Sequence, residues 1–334
     1  MTRLVQLQNG AQRRVALVEE PRLRLLAPEF ASVHALASAA LATGATLSAM
    51  VARHTTAETL DYDAIYGGTS PWRLLSPVDH PTEVARCTIT GTGLTHLGSA
   101  QDRAAMHAKP EKDLTDSMKM FLLGLQSGRP APGQIGPDPE WFYKGNGSVL
   151  RAPGAPLDVP PYGEDGGEEA EIVGIYLIGP DGTPHRLGMA MGNEFSDHVF
   201  ERRNYLNLAG SKMRTCAIGP ELVIAPDFTN VAGRVGITRA GNTLWSKDIV
   251  SGESNMAHSL INLEHHHFKF DAHRRPGDVH VHYYGAHSLS YGAGVRLVDG
   301  DMMEVSFTGF GRPLRNPLRV LPGPAALVTV KPLG

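Results

Sequence analysis

Glu169-Ala170-Glu171-Ile172-Val173-Gly174-Ile175-Tyr176-Leu177-Ile178-Gly179 opens on two acids and runs on as an apolar stretch that reads as a strand. Side chains alternate along a strand, so residues i and i+2 share a face and Glu169 and Glu171 point at one spot. Like charges so placed repel unless a proton or a cation sits between them. Glu194, inside Gly192-Asn193-Glu194-Phe195-Ser196-Asp197, follows about two strands later and offers a third carboxylate. The three together make an oxygen-rich site for a hard divalent ion, Mg²⁺ or Mn²⁺. An isolated E-x-E more often marks a solvated strand face, and it is the neighbouring sequence that shifts the reading. Glu168 alternates to the opposite face from Glu169 and reads as a solvated or loop residue.

The rest of the chain sets the frame. With 334 residues, 42% of them hydrophobic, it can bury a substantial core in one large domain or two. A net charge of −3 leaves no basic footprint for nucleic acid. Two cysteines, Cys87 and Cys216, cannot build a disulfide framework and read as free thiols in a reducing cytoplasm. The apolar segment 35–52 is broken by Ser, Thr and Gly, and reads as a buried helix rather than a membrane span. Residues 1–88 suggest a small α/β lead-in with a helix over residues 32–54. From residue 149 onward, short β-like runs alternate with Gly, Pro and Asp turns. One helix interrupts them at 254–270, with Ser254 as N-cap and Met256, Leu260, Leu263 and His267 at helical spacing.

Five ordered motifs resemble the fumarylacetoacetate hydrolase superfamily. They are the E-x-E at Glu169-Ala170-Glu171; Gly188-Met189-Ala190-Met191-Gly192-Asn193-Glu194-Phe195-Ser196-Asp197; Ser211-Lys212-Met213-Arg214-Thr215 with Gly219-Pro220; Gly277-Asp278-Val279-His280 with Tyr284-Gly285-Ala286; and Gly311-Arg312-Pro313-Leu314-Arg315-Asn316-Pro317. The resemblance covers roughly residues 90 to 320. It implies an α+β fold: a mixed β-roll or β-sandwich catalytic domain over 89–334, behind a small N-terminal α/β domain over 1–88. It implies Mg²⁺ or Mn²⁺ on Glu169, Glu171 and Glu194, and a homodimer acting on a small 2-keto acid. Lys144 and Lys212 would line the site, and Ser196, Asp197, Gly285 and Ala286 would meet substrate.

The departures from the pattern narrow the activity. The third ligand is Glu194 where the family usually has Asp, and Ala286 stands where it has Thr. The hydrolase lid is replaced by Gly93-Leu94-Thr95-His96-Leu97-Gly98-Ser99, and its water-activating His–Glu dyad does not map between Gly91 and His107. Asn193-Glu194-Phe195-Ser196-Asp197-His198 and Pro139-Glu140-Trp141-Phe142-Tyr143-Lys144-Gly145 resemble the sugar-acid branch, whose members dehydrate 2-keto-3-deoxy-pentonates. The expected activity is therefore dehydration, with His96 or Lys144 as general acid or base. An acylpyruvate-type C–C hydrolase is the alternative. A non-catalytic sugar-acid-binding protein is a second, kept open by Ala286 and the altered lid.

Other clusters carry less. His265-His266-His267 fan around a helix end and cannot share one ion, while His280 and His282 share a strand face but lack a third ligand for zinc. No G-x-S-x-G occurs, and Gly91-Thr92-Gly93 lacks the full dinucleotide spacing, which disfavours cofactor redox chemistry.

Overall fold

The computed structural model describes residues 1–96 and 116–334. Alternating segments at the start form β1 (Arg3–Asn9), β2 (Gln12–Glu19) and β3 (Arg22–Leu26), an antiparallel meander. Two helices follow, Val33–Thr43 and Leu47–His54, where a single one was expected over 32–54. Ser32 and Thr46 each cap a helix with a side-chain oxygen, and Gly44, at φ 64°, ends the first. A left-handed residue stops a helix, and glycine takes that conformation without Cβ strain. No single helix among the described residues is long and apolar enough to cross a membrane, although this bent pair passes together at 110°.

The chain continues through β4 (Thr55–Asp61), β5 (Arg73–Leu74), β6 (Cys87–Gly93), β7 (Glu140–Asn146), β8 (Leu150–Arg151) and β9 (Leu157–Val159). Then come β10 (Ala170–Ile178), β11 (Pro184–Asn193), β12 (Cys216–Ile218), β13 (Leu222–Val223), β14 (Val231–Arg239), β15 (Asn242–Ser251), β16 (Val279–Tyr283), β17 (Met302–Phe307) and β18 (Leu314–Val320). They form two sheets. The larger runs β4-β3-β2-β1-β13-β11-β10-β16-β6-β7, and the smaller runs β15-β14-β17-β18-β9.

β10 lies inside the large sheet between β11 and β16 and is buried along its whole length. That is why it reads as a continuous apolar run rather than an alternating one. Val173, Ile175 and Leu177 join Leu36, Ala37 and Ala40 in one core. Ala170 and Ile172 join Val235, Ile237, Met303 and Val305 in a second core against the small sheet.

The N-terminal stretch continues the large sheet: Arg3 pairs with Val223 and Leu4 with Leu222 across β1 and β13. The expected boundary between residues 88 and 89 falls inside β6. Buried Glu221 adds a polar tie, accepting from Arg3, from the Tyr62 hydroxyl and from the Arg312 N–H. The second expected helix is also shorter than its periodicity suggested. It spans Leu260–Phe268 and is capped by Ser259 rather than Ser254. Upstream, Ala257 N–H is drawn to the Thr95 carbonyl at 2.7 Å and Met256 bridges to His96, so this backbone is not free to coil.

His267, from that helix, meets the two histidines of β16: its Nε2 lies 3.0 Å from His280 Nδ1, and its ring stacks 4.6 Å from that of His282. His282 is held by the Thr90 and Thr92 hydroxyls, each at 2.8 Å. Burial, with the neighbouring imidazoles adding, pushes His280 and His282 down to about 3 and His267 well below its ordinary value. A histidine with a depressed folded pKa stays neutral in the fold and takes a proton on unfolding. Its contribution is intact above the ordinary 6.5 and is lost as pH falls from there toward 3. Each such group steepens the loss by up to about 1.4 kcal/mol per pH unit. Urea unfolding between roughly pH 7.5 and 5 should therefore show a falling midpoint, with a shallower pH slope in His282→Gln. An unchanged slope in that variant would contradict this account.

Candidate active site

Strand pairing brings the acids together. Ala170 lies opposite Asn193 and Glu171 opposite Gly192, and the ladder runs one step further as Glu194 N–H donates to the Glu169 carbonyl at 2.9 Å. Glu169 and Glu194 are thus cross-strand neighbours, whose side chains meet on one face. Glu171, two residues along from Glu169, shares that face. The third acid comes from the end of the next strand in sequence, not from about two strands on. Phe195 turns the chain with φ 45° and sinks its ring into the core, and Ser196 Oγ donates back to Glu194 Oε2 at 2.8 Å. All three glutamates are buried, with ligand oxygens within 4.8 Å of one another.

Two buried lysines neutralise the cluster. Lys144, on β7, donates to Glu194 Oε1 at 2.6 Å and to the carbonyls of Phe195 and Lys212 at 2.7 and 2.9 Å. Lys212, closing the short helix Leu208–Lys212, donates to Glu169 Oε1 at 2.5 Å, Glu194 Oε2 at 2.6 Å and Ser196 Oγ at 3.0 Å. Glu171 is held differently, by the Gly285 N–H at 2.6 Å. Gly285 sits at φ 96°, and a Cβ there would lie 2.0 Å from Thr95 Oγ1, so a side chain has neither the conformation nor the room.

The charges split the three acids. Burial would raise Glu169, but Lys212 and His198, whose Nε2 is 3.1 Å from its Oε1, outweigh burial and hold it well below the usual carboxylate range. Burial, then the charges of Glu194 and Glu169, drives Glu171 well above that range. Burial opposes the charge on Lys212, yet Glu169 and Glu194 raise its pKa and keep it protonated. One carboxyl of the three is short of positive charge. An all-oxygen set of three buried carboxylates fits Mg²⁺ or Mn²⁺ and lacks the nitrogen or sulfur donors zinc favours.

The other expected residues fall in several places. Ser196 is within the cluster, and Ala286 is buried next to Gly285. The Asp197 carboxylate is committed to Phe200 N–H, Glu164 N–H and Arg214. His96 is buried, with Nδ1 2.8 Å from Thr95 Oγ1, which in turn donates to the Tyr284 carbonyl. Burial, with His287 adding, pushes His96 to about 3 and leaves it a weak base near neutral pH. Of the stretch searched for a water-activating dyad, residues 97–107 lie outside the described residues.

Two residues near the cluster escaped the sequence. His198 touches Glu169, and its place directly after Asp197 in the quoted motif was the available signal. Glu168 is not solvated: it is fully buried and accepts from Ser290 N–H at 2.7 Å and Ser290 Oγ at 2.6 Å. Its partner lies 122 residues away, beyond the reach of local pattern.

The chain shares its fold with solved structures of a 2-keto-3-deoxy-D-arabinonate dehydratase and of an isomerase. No protein-family model matches it, and no curated protein does. Among solved structures, 2-keto-3-deoxy-D-arabinonate dehydratase in its apo form is similar with TM-score 0.69 and 17% identity, covering 96% of this chain and 100% of that one. A structure of 2-keto-3-deoxy-D-arabinonate dehydratase complexed with magnesium and 2,5-dioxopentanoate matches with TM-score 0.69 at 16% identity, over 96% of this chain and 99% of that one. A 2-hydroxyhepta-2,4-diene-1,7-dioate isomerase from Mycobacterium marinum matches with TM-score 0.57 and 17% identity, over 96% and 99%. At these identities the likeness is one of fold.

Removing a divalent ion from such a cluster leaves Glu171 to keep a proton or to repel its neighbours. Chelator-treated wild type should melt below chelator-treated Glu171→Gln, with the gap widening as pH rises above the ordinary carboxylate value of 4.5. Mg²⁺ at about 100 times its Kd should stabilise the wild type by roughly 2.7 kcal/mol and the variant far less. Equal melts for the two metal-free proteins would show that the carboxylates do not converge.

Proposed function

We propose that the protein is a Mg²⁺- or Mn²⁺-dependent dehydratase of a 2-keto-3-deoxy sugar acid, converting a 2-keto-3-deoxy-pentonate of the L-arabinonate series into 2-oxoglutarate semialdehyde. The observation that carries this reading is the buried triad Glu169, Glu171 and Glu194 with two lysine ammoniums against it. The likeness in fold to a dehydratase whose structure holds magnesium and 2,5-dioxopentanoate supports it. When bound, the ion supplies Lewis-acid polarisation of a 2-keto group, which acidifies the protons on C3.

The chain's own residues divide the remaining work. Lys144 has all three N–H donors committed to Glu194 and two carbonyls, so it fixes the ligand Glu194 and the turn behind it. Lys212 has its donors on Glu169, Glu194 and Ser196 at the cluster. It touches two of the three acids where Lys144 touches one, and as a standing ammonium it would pair with a substrate carboxylate. The balance is simple: a proton leaves C3, the C4 hydroxyl departs as water, and tautomerisation through C5 gives the aldehyde.

The full chain with Mg²⁺ and 2-keto-3-deoxy-L-arabinonate, coupled to a semialdehyde dehydrogenase, should yield 2-oxoglutarate. EDTA should abolish the product, and Lys212→Met should lower kcat/KM by a factor of about 10 or more, as loss of a charge-assisted hydrogen bond to a substrate carboxylate does. Pyruvate released from an acylpyruvate, with no semialdehyde from the pentonate, would assign C–C hydrolysis instead.

A further inference from the structure

We infer that Glu168 is a positioning residue: through Ser290 it clamps residues 285–291 against the carboxylate cluster and so keeps the Gly285 N–H on Glu171. The inference deepens the metal-dependent reading above and rests on it only where ion affinity is concerned.

The segment between β16 and β17 has no ladder of its own to hold it. Lys247 of β15 holds Ser288 Oγ at 2.8 Å, and a set of contacts ties the segment to the head of β10. Gly285 N–H reaches Glu171 Oε2 at 2.6 Å. Ser290 presents both its N–H, at 2.7 Å, and its hydroxyl, at 2.6 Å, to the two oxygens of Glu168. Tyr291, the next residue, sets its ring 5.1 Å from that of His198, whose Nε2 contacts Glu169. Three acids within four consecutive residues thus serve two ends: Glu169 and Glu171 face the site, while Glu168 and Glu171 grip the segment beside it.

The grip is strong for its size. Both carboxyl oxygens of a buried residue are used on one partner, so two hydrogen bonds fix Ser290 at once. Removing the acceptor strands a buried N–H and a buried O–H together, which costs more than the bonds contribute. Ser290 and Glu168 are each at most 1% exposed, so water cannot substitute cheaply. Gly285 carries the segment's position to Glu171 directly, through the 2.6 Å bond from its own N–H.

The test uses the full chain and MnCl₂ alone as probe, with two readouts: amide hydrogen exchange across residues 285–291 and Mn²⁺ affinity by calorimetry. Glu168→Met keeps length and removes both acceptors. It should speed exchange in 285–291 while leaving 170–178 protected, and raise the Mn²⁺ Kd about tenfold, the low end for outer-shell partners of metal ligands. Glu168→Gln should stay near wild type, because its amide oxygen accepts the Ser290 N–H and its NH₂ donates to Oγ. Ser290→Ala should move both readouts the same way but less, and it stands alone if Glu168→Met does not fold. Unchanged exchange in 285–291, or Gln as damaging as Met, would overturn the clamp. Faster exchange with unchanged Mn²⁺ affinity would overturn the link to Glu171. A wild type that binds no Mn²⁺ would overturn the metal reading, while the exchange measurement still decides the clamp.

Discussion

Mutual repulsion among three buried carboxylates is the constraint from which the rest of the site follows. Glu169, Glu171 and Glu194 are held by backbone pairing between β10 and β11, so they cannot move apart to relieve it. Water is excluded, and the interaction of charges is correspondingly stronger than at a surface. Positive charge has to be brought in, and the chain brings it from two distant places, Lys144 on β7 and Lys212 at the end of a short helix. Neither ammonium contacts Glu171, and that carboxyl is the one pushed up toward its protonated form.

The position of β10 makes this arrangement rigid. A strand flanked on both sides and buried on both faces has little freedom at its head, and the second sheet packs across Ala170 and Ile172. The left-handed turn at Phe195, the glycine at 285 and the buried Glu168–Ser290 pair all lie where that strand end meets irregular chain. Strain and close approach collect there because the side chains must converge on one point. The same convergence suits a hard divalent ion.

How much of this could be read from sequence depends on the range of the interaction. The E-x-E strand was legible because alternation and an apolar run are local, and Glu194 through its ordered motif, although it closes the very next strand rather than lying two strands on. Lys212 and Gly285 were reached through ordered motifs rather than through chemistry of their own. The break at Gly44 was a one-residue signal inside a run of good helix formers. The start of the second helix was set by Thr95 and His96, far away in sequence. Glu168 reads as a spare acid until Ser290 folds back onto it. The continuity of residues 1–88 with the large sheet depends on β1 meeting β13, a pairing that no local pattern announces.

The most direct test of the account is to locate the cation itself. Crystals of the full chain grown with Mn²⁺, with diffraction recorded at the manganese absorption edge, should show one anomalous peak within coordinating reach of Glu169, Glu171 and Glu194, with Lys212 Nζ displaced from at least one carboxylate. A peak elsewhere, or none with both lysines still seated on the glutamates, would contradict the claim that these three carboxylates exist to hold a divalent ion.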